Sequence, residues 1–312
     1  MKFGYGDFVY EWIEGWGIEA KERWNIIEAA GVTVDQKDRV YVLTRTVPPV
    51  VVFNRDGEMM DAWGDDIFVR AHGMYLDNDG FIYGVDDGGH AVYKFDQNHN
   101  LIMTLGERGR PSDTGCVNKD YRTIIHEAGP FNYPTRLVTG KDGCIYVSDG
   151  YGNARVHKFD REGSLIASWG EPGEDPGQFN LPHGIALGPN GLLYVADRQN
   201  HRVQLFTTDG EFVSMWEGLH RPSDIWIDAA GIVYVAECKR TSDFGASPSR
   251  VSIMDLDGKL LSRLDGDAPY DPELGSRCAH GIAIDSEGSL YITEVAKKAK
   301  NSFFGVKKYR RV

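Results

Sequence analysis

Histidine occupies one place of a recurring sequence unit at His72, His183 and His280, in every second copy of that unit. Around a closed ring of such units, three imidazoles fall about 120° apart and face one another across the axis. Neutral imidazole nitrogen is a good ligand for zinc and other first-row divalent ions, and three of them leave a fourth position open to water or substrate. The same place in the other copies holds Ala30, Thr135 and Ser223. A lone histidine usually packs a core or bonds a backbone carbonyl. The alternation of histidine with small residues is what such packing does not require, since small neighbours leave room for converging rings and their ligand. One zinc ion, or another divalent transition metal, is the expected occupant.

The turn after the second strand of each copy borders the same channel. It carries Arg45 in VLTRT, Asp86 and Asp87 in VDDGGH, Tyr151 in SDGYGN and Arg198 in ADRQN. Guanidinium groups beside a metal suit a carboxylate, which they bind in a bidentate, charge-assisted way. A phenol in such positive surroundings can act as a general base. Taken singly, Arg198 could pair with an acid and Tyr151 could be a turn aromatic; together with the histidines, Tyr151, Arg45 and Arg198 are the expected catalytic groups. His90 and His201 are further rim candidates.

These residues must be held by the repeat itself. Its clearest copy runs from Leu181 to Trp216, LPHGIALGPNGLLYVADRQNHRVQLFTTDGEFVSMW. Period-2 apolar runs separated by Gly turns predict four short antiparallel strands. Copies begin near Ala29, Ala71, Tyr133, Arg221 and Ala279 as well. Six such units, about 40 residues apart, predict an all-β six-bladed β-propeller. The last copy ends in FFGVKKYRRV, from Phe303, and matches only as far as its third strand, while FVYEWIEGWG, from Phe8, resembles a fourth strand. The N-terminal strand is therefore expected to complete the last blade and close the ring, leaving no open sheet edge. The expected organisation is a single domain over residues 1–312. The longest inserts, Glu107 to Gly129 and Lys239 to Ser249, are expected on the surface near a face, where loops shape access.

Composition narrows the function classes. A net charge of −12, from 34 basic and 46 acidic residues, argues against nucleic acid as partner. The basic run Lys297, Lys298, Lys300, Lys307, Lys308, Arg310 and Arg311 is expected to be a solvated edge. The acid-bearing N-terminus has no apolar stretch of signal-peptide length, and no run approaches the roughly 18 apolar residues of a membrane span. Cys116, Cys144, Cys238 and Cys278 have no paired spacing, so no disulfide framework and no CxxC metal site is expected. A soluble, cytoplasmic protein without membrane partners is the expectation. The oligomeric state is not readable from the sequence.

The strings PHGIA, YVADRQNHRVQLF and SDGYGNARVHKF resemble the NHL-repeat family, and the constellation resembles the peptidyl-α-hydroxyglycine α-amidating lyases, over essentially the whole chain. The resemblance implies that His72, His183 and His280 hold a catalytic zinc, that Tyr151 is the base and that Arg45 and Arg198 are active-site arginines. It implies cleavage of a carbinolamide, R-CO-NH-CH(OH)-COO⁻, to an amide and glyoxylate, with no redox cofactor. The family's structural calcium does not carry over, because Gly281 stands where the family has an aspartate, and Val32 and Met74 offer only carbonyls. Nor do its disulfides carry over: Gly152 replaces a cysteine after the key tyrosine, and Cys278 replaces a methionine near the third histidine. The repeats are expected to use up the 312 residues, with none left for the copper monooxygenase that makes the hydroxyglycine, so a small α-hydroxy acid or other hemiaminal-like substrate is an expectation of at least equal standing to a peptide. Two other classes stay open: a metal-dependent hydrolase of lactonase type, and a noncatalytic propeller that binds a protein or peptide.

Overall fold

The computed structural model describes residues 2–26, 28–238, 249–265, 277–296 and 305–312. The insert from Lys239, apart from Ser249, lies outside the described residues, as do Lys297, Lys298, Lys300 and Phe303. Six antiparallel sheets account for the strands, five of four strands and one of five. This is the expected fold class, a six-bladed β-propeller. The first strands of the blades are Ala29–Val34, Ala71–Leu76, Pro134–Thr139, Pro182–Leu187, Pro222–Ile227 and Arg277–Ile284. The chain forms two compact units, Met1–Asp65 with Trp226–Val312, and Asp66–Ile225.

The apolar pattern explains the burial. Second strands such as Ile82–Asp86, Ile145–Asp149 and Leu193–Asp197 are buried at every residue, whereas fourth strands such as Leu165–Trp169 expose their first residues. In the second unit, Tyr83, Val85, Phe131, Leu137, Val147 and Phe159 form one core cluster. Its neighbour gathers Tyr146, Val156, Phe179, Ile185, Val195 and Phe206. The turn between first and second strands is set by an acid: Asp77 Oδ1 accepts from the Asp79 and Phe81 amides, and Asp285 Oδ1 from those of Glu287 and Ser289. Such side-chain turns fix where each second strand begins.

In the first unit the closing segment behaves as the pattern predicts. Phe8–Ile13 pairs with Val306–Arg311, with Tyr10 opposite Arg311 and Trp12 opposite Tyr309. Three features were not legible. Lys2–Tyr5 adds a fifth strand to that blade. A seven-residue helix, Ile18–Trp24, follows the closing strand, made of good helix formers between left-handed Gly17 and Asn25. Lys307 and Lys308, expected at a solvated edge, are buried: Lys307 pairs with Glu294 at 3.5 Å, and Lys308 donates to the Arg55 carbonyl at 2.7 Å. Arg310 and Arg311 are exposed as expected.

The cysteine expectation is corrected. Cys238 and Cys278 are joined as a disulfide across an isolated antiparallel bridge, with Cα atoms 4.2 Å apart. Cys238 follows the second strand Val233–Glu237 of one blade and Cys278 lies in the first strand Arg277–Ile284 of the next, so residues 40 apart in sequence, at different places in the repeat, meet between successive blades. Cys116 and Cys144 are free thiols. Among the described residues, no helix is long and apolar enough to cross a membrane.

The closing strand carries a testable consequence. Tyr10 is fully buried in a cluster with Tyr234, Ile253, Leu264 and Leu290. Tyr10→Ala is expected to cost about 3 kcal/mol or more in urea unfolding, the usual range for deleting a buried aromatic ring. A cost under about 1 kcal/mol would mean that the closing strand is not integral to the core.

Candidate active site

The blades aim their first-strand residues by a shared irregularity. The pairing register between first and second strands slips between Ala29 and Gly31, Ala71 and Gly73, Pro134 and Arg136, Pro182 and Ile185, and Ala279 and Gly281. The residues passed over include Ala30, His72, Thr135, His183 and His280. A β-bulge re-aims the side chain at the slip out of the regular alternation, so the repeat position that reads as histidine or small residue is also the mechanically special one.

Each histidine is then fixed by the next blade. His72 Nδ1 donates to the Thr135 carbonyl at 2.8 Å, His183 Nδ1 to the Ser223 carbonyl, and His280 Nδ1 to the Ala30 carbonyl at 2.6 Å. The acceptors are the small residues of the alternating copies. A carbonyl can only accept, so each Nδ1 carries the proton and each Nε2 of the neutral ring presents a lone pair. The glycine after the histidine makes this approach feasible. A Cβ on Gly73 would lie 2.6 Å from the Thr135 oxygen, and one on Gly184 would lie 2.7 Å from the Asp224 Cα.

In the second unit, His72, His183, Tyr151 and Arg198 come together. The Tyr151 hydroxyl is 3.1 Å from His72 Nε2 and 3.1 Å from His183 Nε2, and Arg198 donates to it at 3.3 Å. The two imidazole rings are 4.9 Å apart between centroids. Both histidines are fully buried. Burial first, and then the Arg198 and Arg136 guanidiniums, hold His183 well below the ordinary imidazole range, which keeps it neutral. A neutral phenol has one proton, yet it faces two Nε2 acceptors. The donor set is therefore short of positive charge where these atoms converge, and a cation there would supply what a second proton cannot. Two buried imidazoles whose Nδ1 atoms are bonded to carbonyls are of the type that ligates zinc.

Tyr151 owes its place to an extra residue. Its amide donates to the Tyr133 carbonyl, as Asp87 does to Arg70 and Arg198 to Leu181, so the three residues are equivalent by backbone bonding. Gly150 is inserted before it, where a Cβ would stand 1.8 Å from the Pro182 carbonyl oxygen. The preceding acids serve the scaffold. Asp86 accepts from the Val69, Arg70 and Gly89 amides, Asp149 from Asn132, and Asp197 from Asn180, Asn200 and Arg202. His90 and His201, the rim candidates, also hold backbone: their Nδ1 atoms accept from the Tyr133 and Arg221 amides. Asp87 is buried and ion-paired with Arg70 and Lys119.

In the first unit, His280 is buried and Arg45 is ion-paired with Glu28 at 2.9 Å, both partners being partly exposed. Two groups beside the second-unit cluster were not singled out in the sequence. Arg136, 4% exposed, donates to the His72 carbonyl and pairs with Asp224 at 3.2 Å. A signal for it existed, since Arg136 and Asp224 are opposite charges at a place where the other four copies have glycine. Lys119 lies in the insert Glu107 to Gly129, with its ammonium 4.5 Å from the Tyr151 ring centroid, and has no repeat equivalent that could point to it.

Comparison with known proteins places this geometry among relatives. The NHL repeat family matches residues 179–206, the stretch that contains His183 and Arg198. The chain is 33% identical over 162 residues to a probable peptidyl-α-hydroxyglycine α-amidating lyase of Caenorhabditis elegans, covering 51% of this chain and 43% of that one. It is 27% identical over 260 residues to peptidyl-α-hydroxyglycine α-amidating lyase 1 of Drosophila melanogaster, covering 77% and 45%. The matches thus span less than half the length of either relative. Among solved structures, a gluconolactonase from Xanthomonas campestris is similar with a TM-score of 0.61 and 15% identity, covering 91% of this chain and 86% of that one, a likeness of fold. The chain is a six-bladed propeller with an NHL-repeat match in one blade and with relatives named as peptidyl-α-hydroxyglycine α-amidating lyases.

Proposed function

We propose that this protein is a metal-dependent carbon–nitrogen lyase that cleaves an α-hydroxyglycine-type carbinolamide, or a closely related small carboxylate substrate, releasing glyoxylate and an amide. The observation that carries the reading is the Tyr151 hydroxyl, 3.1 Å from both His72 Nε2 and His183 Nε2 and 3.3 Å from Arg198. His72, His183 and His280 would hold zinc, His280 being assigned by its equivalent repeat position and its equivalent Nδ1 bond. When bound, the ion supplies a Lewis acid that makes the substrate hydroxyl a better proton donor.

The chain's own groups do the rest. Arg198 binds the substrate carboxylate by a charge-assisted bond and sets the hydroxyl toward Tyr151. Arg45 is the second arginine, and it would exchange its Glu28 partner for the carboxylate. Tyr151 would act as the phenolate, with the cation in place of its proton, so that its oxygen takes the hydroxyl proton and becomes the neutral phenol. The oxygen lone pair then forms the aldehyde C=O, the C–N bond breaks with its electron pair going to nitrogen, and the proton passes to that nitrogen. Atoms and electrons balance without an oxidant. Near the phenol, Arg70, Lys119, Arg136 and Arg198 face the carboxylates Asp87 and Asp224, so cations outnumber acids there in a chain of net charge −12. That excess suits an anionic substrate.

Hydrolysis of a lactone is the second reading, supported by the fold likeness to a gluconolactonase. It is less well supported because Asp87 and Asp224, the carboxylates paired with the cations of the cluster, are already engaged. A peptide-binding propeller without metal remains the outcome if the first measurement below fails.

Elemental analysis is expected to find about one zinc or similar ion per chain, lost when His72, His183 and His280 are all replaced by alanine. With α-hydroxyhippurate as probe, the zinc-loaded protein should release benzamide and glyoxylate, and chelation should abolish turnover. Tyr151→Phe is expected to lower kcat by about 100-fold or more while retaining the metal. Activity indifferent to chelators and to His183→Ala rejects the reading. Gly73→Ala, which crowds the carbonyl holding His72, should weaken zinc affinity by about 10- to 100-fold, the usual effect of disturbing a ligand's outer partner. Gly129→Ala, where an added Cβ meets nothing within 4 Å, should leave the affinity unchanged.

A further inference from the structure

The insert between the second and third blades packs against the Tyr151 turn. Thr114 Oγ1 donates to the Gly152 carbonyl, and Cys116 Sγ lies 3.9 Å from the Tyr151 carbonyl oxygen. Val117 to Asp120 form a tight turn, closed by a 3.0 Å bond from the Asp120 amide to the Val117 carbonyl. Its two central residues, Asn118 and Lys119, have φ of 53° and 58°. Both lie in the left-handed region, which this turn type normally fills with Asn-Gly. Lysine therefore occupies a glycine place at a conformational cost, and strain of this kind persists where the side chain is needed.

The strained residue carries its ammonium to the phenol. Lys119 Nζ is 4.5 Å from the Tyr151 ring centroid, 4.7 Å from the Tyr133 centroid and 2.5 Å from Asp87 Oδ2. Neutralising Asp87 does not account for it, since Arg70 donates to the same oxygen. A cation over an aromatic face holds that ring in place without competing for its hydroxyl.

We propose that Lys119 is a positioning residue: it clamps the Tyr151 ring so that the hydroxyl stays between His72 and His183, and the insert Glu107 to Gly129 is a working part of the site. As a claim about catalysis this rests on the lyase reading; as a claim about the ring it does not.

Lys119→Gly and Lys119→Arg test it, each loaded with zinc. Lys119→Gly relieves the turn, so the protein should melt no earlier than wild type and bind zinc equally well. Its kcat on α-hydroxyhippurate should fall by about 10- to 100-fold with KM little changed, as for a misplaced reacting group. Lys119→Arg, which keeps the cation, should recover most of the loss. In parallel, with ring-labelled tyrosine, the Tyr151 NMR resonance, assigned by its absence in Tyr151→Phe, should shift and broaden in Lys119→Gly and return in Lys119→Arg. Should wild type not turn over the probe, the lyase reading falls while the resonance still decides the clamp. An unmoved resonance with unchanged kcat overturns the proposal. A rise in KM at constant kcat overturns it in favour of a substrate anchor, and loss of stability and zinc together reduces Lys119 to a structural ion-pair partner.

Discussion

The bond from a histidine Nδ1 to the carbonyl of the following blade is the constraint on which the site depends. It occurs three times, from His72 to Thr135, His183 to Ser223 and His280 to Ala30. Each bond fixes one tautomer and one ring direction, so each Nε2 is left as an acceptor. Because the acceptor is backbone, any side chain at the receiving position must stay small enough to let an imidazole lie against its carbonyl. Alanine, serine and threonine meet that limit. The alternation of histidine and small residue is therefore one device, and the β-bulge at the same place keeps both sets of side chains out of the regular pleat.

Around that frame, the second unit sets a phenol against two imidazoles and supplies cations from three different elements. Arg198 comes from a blade turn, Arg136 from a first strand and Lys119 from an insert. Their charges are held in place by buried acids, Asp224 for Arg136 and Asp87 for Lys119. Low-dielectric surroundings strengthen such preset charges.

Much of this was legible because the repeat reports position. Comparing copies isolated His72, His183 and His280, and the resemblance of FVYEWIEGWG to a fourth strand gave the closure that Tyr10 and Arg311 make. The turn positions of Tyr151 and Arg198 were legible too, although Gly150 shifts Tyr151 by one residue and only backbone bonding settles their equivalence. Of the acids at the same turn, Asp86 serves the scaffold, since it spends its oxygens on backbone amides. Lys119 was invisible because an insert has no copies to compare. The Cys238–Cys278 pairing was missed because the two cysteines occupy different places of their units, one after a second strand and one in a first strand, and meet only once the blades are laid side by side.

The central claim is that all three histidines offer Nε2 to one cation, and nitrogen-15 NMR of histidine-labelled protein tests it most directly. The account predicts three imidazoles with the proton on Nδ1, whose Nε2 resonances all move to the ligated range on addition of one equivalent of zinc. It is contradicted if the protons sit on Nε2, or if zinc moves the resonances of only one or two of the three.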